Sequence, residues 1–256
     1  MADSRPMKEA ALGLYSYLEF GACVAAFLPV MGLVWARHRA DPTQRVPGQW
    51  MRRLGRTTSA LTPLWKFHVE GEAPADVDAR PYVVVANHES LADPFLLSWL
   101  PWDMRWVAKR ELFEIPLIGL VFKFSGDIPL VRGESGSIKS TMAACRESLD
   151  NGMSIMMFPE GTRSKNGQLL SFKDGAFRLA IEAGVPILPV AIVGTKDCLQ
   201  KGSKRLGMAN AVARVLPVIS TEGATLDDVA SIRERARASI QAAVDEMRAS
   251  APASAR

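Results

Sequence analysis

Tyr82-Val83-Val84-Val85-Ala86-Asn87-His88-Glu89-Ser90-Leu91-Ala92-Asp93 is the stretch on which the fold turns. Its first half is a short apolar run rich in β-branched residues, which reads as a strand, and a polar loop follows at once. An imidazole, His88, then stands five positions before a carboxylate, Asp93. Imidazole can take a proton from a hydroxyl near neutral pH, and a neighbouring carboxylate can fix its tautomer and stabilise the imidazolium. Residues five apart do not share a face of a regular helix, so the pair can meet only through a turn at a helix entrance. Alone, Ser90 and Asp93 read as ordinary helix-start residues with His88 closing a strand end, and for an isolated pair that plainer reading is preferred.

Three further blocks change the balance. A second apolar run, Ser154-Ile155-Met156-Met157, leads into Phe158-Pro159-Glu160-Gly161-Thr162-Arg163. Between the two lies Gly126-Asp127-Ile128-Pro129-Leu130-Val131-Arg132, and after them comes Val185-Pro186-Ile187-Leu188-Pro189-Val190. In this order the four blocks resemble those of the glycerophospholipid acyltransferase family, most closely the bacterial 1-acyl-glycerol-3-phosphate acyltransferases, over about residues 80 to 195. The family's NHxxxxD runs here from Asn87 to Asp93, and its FPEGTR is unbroken from Phe158 to Arg163. The second block departs from the family pattern, which often has an aromatic before an acidic residue and the arginine, where this chain has Leu130-Val131-Arg132. Segments Ala108 to Pro116 and Phe172 to Ala176 are similar to connecting segments of the same enzymes.

The resemblance implies transfer of a fatty acyl group from a thioester to the sn-2 hydroxyl of 1-acyl-glycerol-3-phosphate, giving phosphatidic acid. His88 would be the base and Asp93 its orienter. Arg163 is the first choice for the phosphate, because a guanidinium offers a planar fork to phosphate oxygens, and Gly161 and Thr162 let backbone amides approach as well. Glu160 would hold Arg163 or contact the acceptor. Arg132 ranks second for phosphate, with Lys109 and Lys173 behind. The donor would be acyl-CoA or acyl-carrier protein and the acceptor lysophosphatidic acid. The absence of a GxSxG elbow argues against an acyl-enzyme, and a thioester is reactive enough for direct attack. With three histidines, no HExxH and no cysteine cluster, neither a metal nor any other cofactor is expected. The strand from Val185 to Val190 would pack the core or line an acyl tunnel, and His38 and His68 read as surface or interface residues. Two alternatives remain open: another lysolipid acceptor, such as lyso-ornithine lipid or a lysophospholipid, and a non-catalytic membrane lipid-binding protein.

Composition points the same way less specifically. A hydrophobic content of 48% leans toward membrane contact, and a formal charge of +4 is modest for a nucleic-acid binder, a class for which no motif speaks. Cys23, Cys145 and Cys198 are an odd number at wide spacings, which argues for reduced thiols rather than a disulfide framework.

Leu12 to Ala36 is apolar and long enough for a membrane helix, with Glu19 and Pro29 as its complications, so a buried helix or a re-entrant piece also fits. Arg37, Arg39, Arg45, Arg52, Arg53 and Arg56 against Asp41 place that flank on the cytoplasmic face of the inner membrane. Gln49 to Phe67 reads as an amphipathic helix, either laid in the lipid interface or packed on the core, the former being favoured in a membrane-anchored lipid enzyme. Further on, strands alternate with helices: strands at 82–86, 105–108, 128–131, 154–158, 187–193 and 211–219, helices at 92–100, 117–125, 135–151, 175–183 and 226–250. The expected architecture is α/β, a mainly parallel central sheet flanked by helices with an N-terminal membrane-associated helical segment. Its expected parts are an anchoring region at 1–68, a catalytic domain at 69–250 and a disordered tail at 251–256.

Overall fold

In the computed structural model, which describes residues 5–131, 135–164, 167–200 and 202–250, seven strands form one sheet in the order β1-β7-β6-β2-β5-β3-β4. The strands are β1 (Trp65–Glu70), β2 (Val83–Ala86), β3 (Met104–Lys109), β4 (Ile128–Leu130), β5 (Ser154–Met157), β6 (Ile187–Val193) and β7 (Ala209–Val215). The helices are α1 (Arg5–His38), α2 (Arg45–Leu61), α3 (Asp93–Leu97), α4 (Arg110–Phe113), α5 (Ile118–Ser125), α6 (Ser135–Asp150), α7 (Gly175–Ala183), α8 (Thr195–Cys198) and α9 (Val229–Ser250), the last preceded by a 3-10 turn at Leu226–Asp228. All pairings are parallel except β6 with β7, so the expected mainly parallel α/β sheet is what the chain forms.

The central strands are almost wholly apolar, Ser154 at the start of β5 aside, because both faces of the sheet are covered. Val83 and Val85 join Ile155, Phe177, Ile187, Ile240 and Val244 on one face, under α7 and α9. Val84 and Ala86, one residue out of phase, join Leu96, Trp102, Met156, Leu188 and Val190 on the other. A third cluster joins α1, α2 and α5 through Cys23, Val24, Met31, Leu54 and Val121.

The amphipathic helix expected to run to Phe67 ends at Leu61. Thr62 precedes Pro63 and is held extended (φ −70°, ψ 126°), which stops the helix. Trp65, Phe67 and Val69 then alternate with Lys66, His68 and Glu70, the period of a strand, and pair in register with Ala209, Ala211 and Ala213 of β7. A domain boundary at residue 68 would therefore cut a strand of the catalytic sheet. The apolar side of α2 also faces protein: Leu54 is in the third cluster, Trp50 meets Phe27 edge-on, and Arg52 is buried against Asp103, which also accepts from Gln49 at 2.9 Å. The last strand begins at Ala209 and ends before Pro217, leaving Ile219 a single bridge to Ile187. The expected tail at 251–256 lies outside the described residues.

Within α1, Ala10–His38 is long and apolar enough to cross a membrane, and only 17% of its most apolar window is buried inside the protein. Pro29 is accommodated without a break. Leu14, Leu18 and Leu33 project outward, each more than 60% exposed. A core helix would bury such side chains.

Candidate active site

Strands β6, β2 and β5 are adjacent and parallel, so their C-terminal ends open onto one edge of the sheet, where ligands of open α/β folds bind. Each contributes a loop. After β2 the chain turns through His88, and Asp93 opens α3. After β5 comes the loop from Phe158 to Ser164, and after β6 come Gly194 and Thr195.

The turn brings the imidazole onto the carboxylate. His88 Nδ1 lies 2.6 Å from Asp93 Oδ2, while Asp93 is fully buried and His88 keeps a partly exposed ring. An ionised carboxylate only accepts, so this contact puts the ring proton on Nδ1 and leaves the Nε2 lone pair open to a donor hydroxyl. Asp93 is held in turn by the N–H groups of Glu89 (2.9 Å) and Ser90 (3.1 Å) and by the hydroxyl of Thr195. The imidazole stacks on Phe158, ring centres 4.0 Å apart, so the aromatic of the FPEGTR loop fixes the ring plane.

Glu160 joins the loops from below. Its Oε1 accepts the His88 N–H at 2.7 Å and its Oε2 accepts the Leu170 N–H at 3.1 Å, with the residue almost fully buried. Burial holds its carboxyl above the ordinary range, and the two N–H donors pull it back. Both oxygens therefore accept from backbone N–H groups, and Glu160 ties the loop after β2 to the loop after β5. Ser164 completes the link by donating its N–H to the His88 carbonyl at 2.9 Å.

Gly161 has φ +69°, a turn conformation that favours glycine, and the Lys173 ammonium lies close beside it. Thr162 is exposed and Arg163 half-buried on this loop. Lys109 ends β3 on the same edge and is paired with Glu111 at 2.6 Å, both half-exposed. Arg132 lies outside the described residues. His38 closes α1 and His68 lies in β1 at the far side of the sheet, away from this edge. The strand holding Ile187 to Val190 is buried on both faces, as core packing requires.

The Acyltransferase family profile matches residues 66–193, from within β1 to the end of β6, and so spans the loops after β2 and β5 and stops just before Gly194 and Thr195. The chain belongs to that family. Over 164 residues it is 38% identical to 1-acyl-sn-glycerol-3-phosphate acyltransferase alpha of Homo sapiens, covering 63% of this chain and 58% of that protein. It is 35% identical to the chloroplastic 1-acyl-sn-glycerol-3-phosphate acyltransferase LPAT1 of Arabidopsis thaliana over 164 residues, 64% of this chain and 46% of that one. The chain thus spans about half the length of the curated relatives it matches. The crystal structure of the 1-acyl-sn-glycerophosphate (LPA) acyltransferase PlsC from Thermotoga maritima superposes with a TM-score of 0.77 at 25% identity, covering 95% of this chain and 99% of that one.

Several contacts that build the site are not announced by the motifs. Asn87 clamps β2 to β6 by donating to the Ile192 carbonyl (2.8 Å) and accepting its N–H (2.7 Å). Ser90 donates its hydroxyl to the Leu199 carbonyl at 2.8 Å. Thr195 follows an apolar run, Ile187 to Val193, just as His88 and Glu160 follow theirs, so the same pattern of strand followed by polar turn marks it. Glu89 pairs with Arg248 of α9 across 159 positions, a contact that no local signal announces.

Proposed function

We propose that this acyltransferase moves a fatty acyl group from an acyl thioester, acyl-CoA or acyl-carrier protein, to the sn-2 hydroxyl of 1-acyl-sn-glycerol-3-phosphate, forming phosphatidic acid. The observation that carries the reading is the Nδ1 contact of His88 with buried Asp93, which leaves Nε2 as a base at the edge where the FPEGTR loop also lies. Nε2 takes the hydroxyl proton as the oxygen attacks the thioester carbonyl. The carbon–sulfur bond then breaks, and the imidazolium returns the proton to the departing thiolate. Asp93 stabilises the transient imidazolium. Arg163 is assigned to the acceptor phosphate, with Arg132 second and Lys109 and Lys173 behind it; the Gly161 N–H is already given to the Phe158 carbonyl at 3.0 Å, so the guanidinium carries the contact.

An apolar cavity of about 320 Å³ supports a lipid substrate. It is walled by Phe20 of α1, Leu54 of α2, Phe95 of α3 and Val121 of α5, and it reaches Leu91 and Ala92 in the very turn that joins His88 to Asp93. An acyl chain laid there would run to the turn that carries the base. The outward leucines of α1 support a membrane-bound enzyme, and the arginines after it favour the cytoplasmic face. The N-terminal segment serves as anchor, but α2 and β1 belong structurally to the catalytic unit.

Assay of the purified full chain against a panel of lysolipids, each with acyl-CoA and acyl-carrier protein, tests the reading. Phosphatidic acid formed fastest from lysophosphatidic acid is the expected result. Faster acylation of lyso-ornithine lipid or of a zwitterionic lysophospholipid would replace the acceptor, and no transfer with any pair would remove the activity.

A further inference from the structure

The last turn of α9 reaches into the site. Arg248 Nη2 donates to Glu89 Oε1 at 2.9 Å and also to the carbonyl of Gly167, just beyond the FPEGTR loop. The other oxygen of Glu89 accepts the Gly194 N–H at 3.0 Å and lies 3.4 Å from the Thr195 hydroxyl and 3.5 Å from the Lys196 N–H. Glu89's own N–H goes to Asp93 Oδ2, the oxygen that holds His88. One guanidinium therefore ties together the loops after β2, β5 and β6. Gly194, at φ +97°, can follow this path only without a side chain, because a β-carbon would sit 2.2 Å from the Asn210 carbonyl oxygen.

The arrangement places two buried carboxylates side by side. Glu89 and Asp93 have side chains 1% and 0% exposed, and buried like charges oppose each other unless a cation answers them. We infer that Arg248 is a positioning residue: acting through Glu89, it holds the His88–Asp93 pair in its working geometry and locks the three loops that surround it. The inference rests on the acyl-transfer reading above for its kinetic consequence.

Among the described residues, the ionisable groups around Glu89 are Asp93 on α3, Arg248 on α9, Cys198 on α8 and, beyond Asp93, His88. The Lys196 side chain also passes close to Gly167 and Arg248. Burial and Asp93 both raise the Glu89 carboxyl, and Arg248 opposes them. Without Arg248 the carboxyl takes up a proton at higher pH, its hold on Gly194 and Lys196 weakens, and the loops relax.

The test uses the full chain in detergent, as wild type, Arg248→Ala, Arg248→Lys, Glu89→Gln and the double variant Glu89→Gln/Arg248→Ala. Arg248→Ala is expected to lower kcat by roughly tenfold to a hundredfold, the size of coupling within one hydrogen-bond network, with KM for lysophosphatidic acid changed by about twofold or less. Its acidic limb of activity moves to higher pH, Arg248→Lys recovers part of the rate, and in the Glu89→Gln background the loss of Arg248 adds little. Independent of turnover, the low-field proton resonance of His88 Nδ1, assigned by its absence in His88→Ala, is expected to broaden in Arg248→Ala and be retained in Arg248→Lys. Additive effects of the two single variants, an unmoved pH limb, or an unchanged Nδ1 proton would overturn the inference. Should Arg248→Ala not fold, Arg248→Lys and Glu89→Gln are read against wild type by the same criteria. A wild-type enzyme inactive on every lysolipid would instead sink the acyl-transfer reading, and the proton resonance would still decide the role of Arg248.

Discussion

Asp93 is the residue whose substitution separates chemistry from architecture. Asp93→Asn keeps the shape but puts an amide where His88 Nδ1 and two backbone N–H groups need acceptors. The imidazole is then driven to the other tautomer, with Nε2 protonated and unable to act as a base. We expect kcat to fall by about 10^3-fold or more, read in the standard transfer assay, and a loss of less than tenfold would count against the tautomer role. Glu160→Gln is expected to behave differently, because it keeps an acceptor for only one of the two N–H groups that Glu160 satisfies. Its cost should appear as stability, about 1–3 kcal/mol by denaturant unfolding, accompanied by a smaller rate loss. At this scale the sequence was informative for the meeting of His88 with Asp93 and for the turn at Gly161, since each sits in a motif whose order carries meaning. It was silent on which way Glu160 points, because burial of a carboxylate against backbone is a property of the folded turn and not of the six letters around it.

Among the elements, the strands after residue 80 were legible because a covered parallel sheet writes itself as continuous apolar runs such as 83–86, 154–157 and 187–193. β1 was not, because Trp65 and Phe67 continue the apolar content of α2 and only the pre-proline stop at Thr62 and the change of period reveal the switch. A buried acid staples another pair of elements. Asp127 accepts the Trp106 N–H at 2.9 Å and the Ser125 hydroxyl at 2.6 Å, tying β3 to the end of α5, and burial pushes its carboxyl up to about 6. A folded value above the unfolded one means that the acid's contribution is fully present below about pH 4 and is lost as pH rises through about 6. Asp127→Asn should abolish that dependence, so the variant gains on wild type by roughly 3 kcal/mol between those limits. Denaturant unfolding of both proteins across the window checks this, and parallel pH profiles would show that the group titrates as it does unfolded.

For the whole molecule, the outward leucines of α1 carry the proposed membrane attachment. Burying one leucine in an apolar phase is worth about 1.5–3 kcal/mol. Leu18→Glu/Leu33→Glu should therefore lower recovery with floated vesicles by at least about tenfold while leaving the thermal unfolding transition in detergent in place. Unchanged flotation would mean that α1 does not enter the bilayer. Long-range closure was the least legible feature of all, since the sequence cannot say that Arg248 at the chain's far end returns to Glu89. The central claim concerns one proton, and single-turnover transfer to lysophosphatidic acid by wild type and His88→Ala measures it most directly. The account predicts a fall of about 10^2–10^4-fold with the unfolding transition and vesicle flotation unchanged. A His88→Ala enzyme that transfers within a few-fold of wild type would contradict it.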